Sequence, residues 1–126
     1  MRKTVIFFLF CISVITVTAQ TKAYINRATK EFNLTADIKK DHKIFGYELP
    51  SANSKKLILF SVFTKDVDGN PNKCQLGSYY QTNGLKQGDK IMYISTKGVF
   101  VKLNYIAADN KVTTFYVMRK FVVFED

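Results

Sequence analysis

The amino-acid sequence predicts a mainly β domain, with an α+β fold as the alternative: a small antiparallel sheet or barrel of five to six strands with one N-terminal helix. The second half of the chain alternates apolar and polar residues with the period of two that is typical of half-buried strands. Turn-forming residues separate these runs at short intervals, which favours strands joined as hairpins.

The first 19 residues have the layout of a secretory signal peptide. Arg2 and Lys3 precede an uncharged apolar run, and Ala19 supplies the small residue that cleavage requires. The uncharged run ends at Gln20, is at the lower limit of length for a membrane-spanning helix and contains several Ser and Thr residues. We therefore expect cleavage near Ala19 and export to the periplasm or the extracellular space.

Cleavage would leave residues 20–126 as a single mature β-rich domain without a transmembrane segment. Loss of Arg2 and Lys3 lowers the number of Lys and Arg from 19 to 17 against 10 Asp and Glu, so the net charge falls from +9 to +7. A domain of this size excludes large multidomain enzymes and doubly wound cofactor folds. Its positive charge favours anionic partners.

The first mature segment, residues 20–33, predicts a short amphipathic helix, because Tyr24, Ala28 and Phe32 recur four residues apart. A basic linker follows, and residues 44–47 predict a short extended piece.

Residues 57–63 form a nearly continuous apolar run, which predicts a strand covered on both faces. A dense group of turn formers follows at residues 66–71, and Tyr79 and Tyr80 predict an extended piece. The last forty residues predict an antiparallel meander of four strands. These strands are residues 90–96, 99–106, 112–118 and 121–124. Such a sheet must close on itself or pack against the helix and the Leu57 strand.

The favoured function is that of a small exported binding domain, non-enzymatic, with an anionic envelope or extracellular component or a partner protein as its ligand. Paired lysines and one tyrosine pair supply candidate contacts, because cationic and aromatic side chains together suit such ligands. The candidate ligand-binding residues are Lys39, Lys40, Lys55, Lys56, Tyr79 and Tyr80. Tyr93, Tyr105 and Tyr116 are further rings that neighbouring strands could bring together, but core packing is the favoured explanation for them.

Two other classes of function stay open. A small secreted enzyme or effector would have to use His42 or Cys74, the one His and the one Cys of the mature chain, although a buried, inert Cys74 is favoured. An envelope structural or inhibitor module would instead bind a partner protein through an exposed strand edge. No catalytic residues are assigned, and an enzyme is disfavoured.

No cofactor or metal is predicted. Asp66, Asp68 and Asn70 alternate as calcium ligands do, but Pro71 stands where an EF-hand loop has its glycine. A turn between two strands explains the same residues.

Overall fold

The computed structural model describes residues 22–35, 43–80 and 85–126. Nine strands lie in these ranges: β1 (Lys22–Asn26), β2 (Phe32–Thr35), β3 (Ile44–Tyr47), β4 (Lys56–Phe60), β5 (Gly77–Tyr79), β6 (Lys90–Lys97), β7 (Phe100–Ile106), β8 (Val112–Met118) and β9 (Val122–Glu125). A one-turn helix, α1 (Thr64–Val67), and a 3-10 turn (Arg119–Phe121) connect strands. Within the described ranges, no helix is long and apolar enough to cross a membrane.

The strands form two sheets. One has six strands in the order β5-β4-β3-β8-β7-β6, and the other has three in the order β2-β1-β9. The prediction of a mainly β fold is therefore confirmed. The prediction of five to six antiparallel strands is wrong, because nine are present and the pairs β4–β5 and β1–β9 are parallel. The two sheets do not close into a barrel in the described part of the chain.

The predicted N-terminal helix is also wrong, because its described residues form the β1–β2 hairpin. Ala23 and Ile25 are completely buried, and Phe32 and Leu34 are almost completely buried. Burial therefore recurs at every second residue of each strand and not at every fourth residue, as a helix would require. The side chain of Asn26 closes the turn by accepting hydrogen bonds from two backbone N–H groups within three residues. Tertiary burial of alternate residues therefore overrides the helical spacing.

The meander holds for three strands and then ends. Strands β6, β7 and β8 pair in succession as predicted. The chain then passes through the 3-10 turn, and β9 pairs in parallel with β1 instead of joining β8. Val122, buried opposite Ala23, starts this second pairing.

Strand β4 is an interior strand of the six-stranded sheet, between β5 and β3, and its apolar residues Leu57–Phe60 are all buried, as the continuous apolar run predicts. The strand ends at Phe60, earlier than predicted, and α1 replaces part of the predicted turn. Next to β4, Gly46 of β3 allows a close approach of neighbouring side chains. A Cβ atom there would lie 2.5 Å from Ile58 and 2.9 Å from Cε2 of Phe115.

One hydrophobic core joins the two sheets. Its cluster contains Ala23 and Ile25 from the three-stranded sheet together with Ile58 and Leu103 from the six-stranded sheet. The ring centroids of Phe32 and Phe60 lie 5.2 Å apart across this contact. The three-stranded sheet is therefore held against the larger one by apolar packing.

Candidate functional site

A pocket with three cationic side chains lies where the β1–β2 turn, β6 and the end of the chain's last strand meet. Arg27, Lys30 and Arg119 supply the cations, and Tyr93 and Phe124 supply aromatic rings. Ile25 and Thr96 complete the lining, and the cavity volume is about 340 Å³. We call this cavity the basic-aromatic pocket.

The cations lie against the aromatic rings. The guanidinium carbons of Arg27 and Arg119 are 5.4 Å and 5.8 Å from the centroid of Phe124. The Nζ atom of Lys30 is 5.8 Å from the centroid of Tyr93. The two rings contact each other edge to face, with centroids 5.3 Å apart. The rings hold like charges close together, which favours an anion between them.

Little negative charge offsets these cations. Among the described residues, the ion pairs are Arg27–Asp126 at 3.1 Å and Lys43–Asp66 at 3.5 Å. The side chains of Arg27 and Asp126 are 58% and 88% exposed, so their pair contributes roughly 0–1 kcal/mol and is readily exchanged for another anion. Thr96 adds a neutral hydroxyl, which is 2.9 Å from the hydroxyl of Tyr93.

Backbone contacts fix the three cations in place. The Asn26 turn carries Arg27, and it ends at Lys30, whose φ of 69° is left-handed. The carbonyl of Lys30 accepts a hydrogen bond of 2.7 Å from the backbone N–H of Tyr93, which ties this turn to β6. On the opposite side, the backbone N–H of Arg119 donates to the carbonyl of Val99 at 2.8 Å. The pocket is thus built by contacts between distant parts of the chain.

A second cavity, which we call the apolar groove, shares Arg119 with the pocket. Its apolar lining is Ala52, Gly98, Val99, Phe100 and Met118, and Arg119 and Lys120 supply its cations. Its volume is about 560 Å³. The groove lies at the end of the six-stranded sheet where the β6–β7 turn, the end of β8 and the loop before β4 meet.

A third cavity, of about 250 Å³, has mixed charge. Glu31 and Asp89 line it together with Lys86 and Lys90. Because carboxylates and amines alternate there, it selects neither anions nor cations. Of these two charged cavities, the basic-aromatic pocket is therefore the stronger candidate for an anion site.

The residues proposed from the sequence are not gathered in this pocket. Lys39 and Lys40 lie outside the described residues. Lys55 donates to the side chain of Gln75 at 3.4 Å, and the Nζ atom of Lys56 is 4.5 Å from the centroid of Phe45.

The two neighbouring tyrosines face different surroundings. Tyr79 is buried in the core, where its hydroxyl donates to the carbonyl of Leu76 at 2.7 Å. Tyr80 is 36% exposed, so this ring alone of the two is open to solvent. A ligand-binding role for Tyr79 and Tyr80, as for the lysine pairs, stays a prediction.

Cys74 is buried, as expected. Burial raises the pKa of its thiol, which outweighs the opposing effects of the Lys56 charge and a hydrogen bond from Ser78. A nucleophilic cysteine needs the opposite environment, because the thiolate is the reactive form. His42, the other residue of the enzymatic alternative, lies outside the described residues.

Two of the three side chains of the calcium-like sequence, Asp66 and Asn70, already contact other groups of the protein. Asp66 is buried, accepts a hydrogen bond of 2.8 Å from Ser61 and pairs with Lys43. The side chain of Asn70 accepts from the backbone N–H of Cys74 at 3.0 Å and donates to the carbonyl of the same residue at 2.8 Å. Asp66 thus lies in α1 rather than in the predicted turn, whereas the contacts of Asn70 hold the loop before β5.

The sequence analysis missed Arg27, Lys30, Arg119 and Phe124 as site residues. A local signal existed in Asn26, a favoured turn residue between two short alternating runs, which would have placed Arg27 and Lys30 on a hairpin turn. No local signal brings Phe124 to them, because that contact needs the parallel pairing of β1 with β9.

Comparison with known proteins yields no relative from which a function could be transferred. The chain matches no protein-family model, no curated protein and no solved structure among those compared. Function is therefore inferred from the geometry of the pocket.

Proposed function

We propose that the protein is a small exported, non-enzymatic binding domain that holds an anionic ligand in the basic-aromatic pocket. The observation that carries the proposal is the convergence of Arg27, Lys30 and Arg119 on one cavity. A guanidinium group matches the planar or tetrahedral oxygens of carboxylate, sulfate and phosphate with several N–H donors. Three cations in one concave site bind such a group more tightly than scattered surface lysines do.

The size and lining of the pocket support a small anionic group attached to a larger molecule. The volume of about 340 Å³ lies near the lower end of the range for small-molecule sites. Tyr93 and Phe124 offer apolar faces beside the cations, so a sugar ring or an alkyl group could accompany the anion. Within the described residues, no group of three or more His, Cys, Asp or Glu side chains is placed to hold a metal ion.

Export belongs to the same proposal and is supported by the sequence. The leader of residues 1–19 predicts a periplasmic or extracellular protein, where anionic envelope components are natural ligands. Mass spectrometry of the N-terminus of the exported chain tests this part. A mature chain that begins near Gln20 is expected, whereas retention of Met1 in a membrane fraction would contradict cleavage.

Retention on a heparin resin over a sodium chloride gradient tests the site. The variant Arg27→Gln/Arg119→Gln removes two charges from the pocket. The matched variant Lys65→Gln/Lys111→Gln removes two exposed charges elsewhere. We expect the first variant to elute at clearly lower salt than the parent chain and the second to elute close to it, because a defined site loses counterion release only when its own cations are removed.

Equal shifts for both variants would overturn the proposed site, because retention would then depend on net charge alone. Far-UV circular dichroism of both variants checks that the fold is kept. All four substituted side chains are exposed, so each substitution is expected to change stability by about 1 kcal/mol or less, including the loss of the contacts of Arg27 and Arg119 with Phe124.

A further inference from the structure

The apolar groove contains a strongly exposed apolar side chain, that of Val99. Val99 follows Gly98 in the β6–β7 turn and is 73% exposed, the largest exposure among the large hydrophobic residues described. Beside it, Met118 and Phe100 extend the apolar surface into a concavity of about 560 Å³. Polar residues are the usual choice in a turn such as the β6–β7 turn. A concave apolar surface at this turn therefore indicates contact with an apolar group.

Arg119 connects this groove to the basic-aromatic pocket. Its guanidinium lies against Phe124 in the pocket, whereas its backbone N–H is bonded to Val99 at the groove. The basic-aromatic pocket and the apolar groove therefore meet at Arg119. Lys120 adds a second cation to the lining of the groove, and its Nζ atom is 5.1 Å from the centroid of Phe121.

We propose that the ligand is a single-chain anionic amphiphile, whose acidic headgroup binds among the cations of the pocket and whose alkyl chain lies in the apolar groove. This inference rests on the proposed function and specifies its ligand class. Charge complementarity favours it over a neutral lipid, because Arg119 and Lys120 line the groove and Arg119 also lines the pocket together with Arg27 and Lys30. The two volumes, about 340 and 560 Å³, suit a headgroup and an alkyl chain respectively.

Isothermal titration calorimetry of the full chain with octyl, decyl and dodecyl phosphate, each below its micelle concentration, tests the proposal. Inorganic phosphate serves as the headgroup probe and decyl glucoside as the neutral chain probe. We expect each added methylene to tighten binding about twofold, half the effect of complete burial, because the groove is open to solvent. Decyl phosphate should bind at least tenfold more tightly than either inorganic phosphate or decyl glucoside.

Two variants test whether the alkyl chain of the ligand binds in the apolar groove. Val99→Ser should reduce the gain per methylene, whereas Val112→Ser, which removes a valine that is 51% exposed outside the groove, should keep it. Both positions are exposed, so both variants should fold. An equal loss in the two variants would overturn the proposed groove.

The remaining outcomes separate the inference from the proposed function. If inorganic phosphate and all alkyl phosphates bind equally, and Arg27→Gln/Arg119→Gln weakens them all, the anion site stands and the amphiphile is overturned. If decyl glucoside binds as tightly as decyl phosphate, the anionic headgroup is overturned, and the heparin retention of Arg27→Gln/Arg119→Gln then decides by itself whether the anion site stands. Binding to vesicles of anionic phospholipid without binding to the monomeric alkyl phosphates would likewise overturn a single-chain ligand and point to a membrane surface.

Discussion

At the scale of single residues, a buried hydroxyl network shows how polar groups are tolerated in this core. The hydroxyl of Tyr105 donates to the Asp89 carboxylate and lies 3.0 Å from the hydroxyl of Tyr79. Asp89 also accepts the backbone N–H of Ala108 at 2.9 Å. Each buried oxygen therefore has partners, which is the condition for burying it at low cost.

Replacing Tyr105 with Phe tests the value of this network. We expect Tyr105→Phe to lower the free energy of unfolding by about 2 kcal/mol, because the Asp89 carboxylate loses the charge-assisted hydrogen bond that the buried Tyr105 hydroxyl donates to it. Urea denaturation measures the change. Tyr93→Phe is the control, because its hydroxyl contacts Thr96 in an exposed position, and a loss as large as that of Tyr105→Phe would contradict the assigned role.

The same residue makes stability depend on alkaline pH. Burial, followed by the hydrogen bond to Asp89 and the adjacent Tyr79 hydroxyl, raises the pKa of Tyr105 above its ordinary value of 10.0. Below pH 10 both the folded and the unfolded state keep this proton, so the stabilisation is fully present. At higher pH the unfolded state ionises first, and between pH 9 and 11 the parent chain should lose about 1 kcal/mol more than Tyr105→Phe. Denaturation midpoints of both proteins over this range test the difference, and parallel pH curves would contradict it.

Gly46 gives a steric prediction. A Cβ atom at this position would enter the space of Ile58 and Phe115, both completely buried. Gly46→Ala should therefore destabilise the fold by about 3 kcal/mol, since a packed core cannot yield at little cost. Gly69→Asn is the control, because nothing lies within 4 Å of its Cβ position and Asn tolerates its left-handed φ of 73°. Thermal melting compares the two, and a neutral Gly46→Ala would contradict the close approach.

At the scale of elements, the sequence predicted strands best where alternation is long. The seven-residue strand β7 buries alternate residues, with Val101, Leu103 and Tyr105 facing the core, and its pairing with β8 follows from one short turn. The β1–β2 hairpin is too short for such a signal, and the four-residue spacing of Tyr24, Ala28 and Phe32 predicted a helix instead. Short apolar segments fit both periods, so packing decides between them.

Substitution of Lys30 separates the contribution of this residue to the stability of the β1–β2 hairpin from its contribution to ligand binding in the pocket. Its backbone has a left-handed φ of 69°, which costs a lysine about 1 kcal/mol, and glycine adopts it freely. Lys30→Gly should therefore leave the free energy of unfolding within about 1 kcal/mol of the parent while it weakens retention on heparin. Chemical denaturation and the salt gradient are measured on the same samples. Unchanged retention would remove Lys30 from the site, and a large loss of stability would contradict the turn geometry.

At the scale of the whole molecule, the parallel pairing of β1 with β9 determines both the fold and the site. It brings Phe124 beside Arg27, and it places Val122 opposite Ala23 in the core. Nothing within either strand's sequence specifies the other, because parallel partners from distant segments carry no turn signal between them. The lysine pairs could be identified because their members are adjacent in the sequence. Arg27, Lys30 and Arg119 are distant in the sequence and form a cluster only when β1 pairs with β9.

Because one core joins the two sheets, we expect them to unfold together. Val122 is 8% exposed and lies in this core, so Val122→Ala should lower the free energy of unfolding by about 2 kcal/mol. Amide hydrogen exchange then reports each sheet, and protection at Ile25 and at Leu103 should fall by the same amount, since both amides exchange through one global opening. Val112→Ala, at a site 51% exposed, should leave both amides protected. Faster exchange at Ile25 with unchanged protection at Leu103 would show that the three-stranded sheet opens by itself, and the pocket would then be lost before the core.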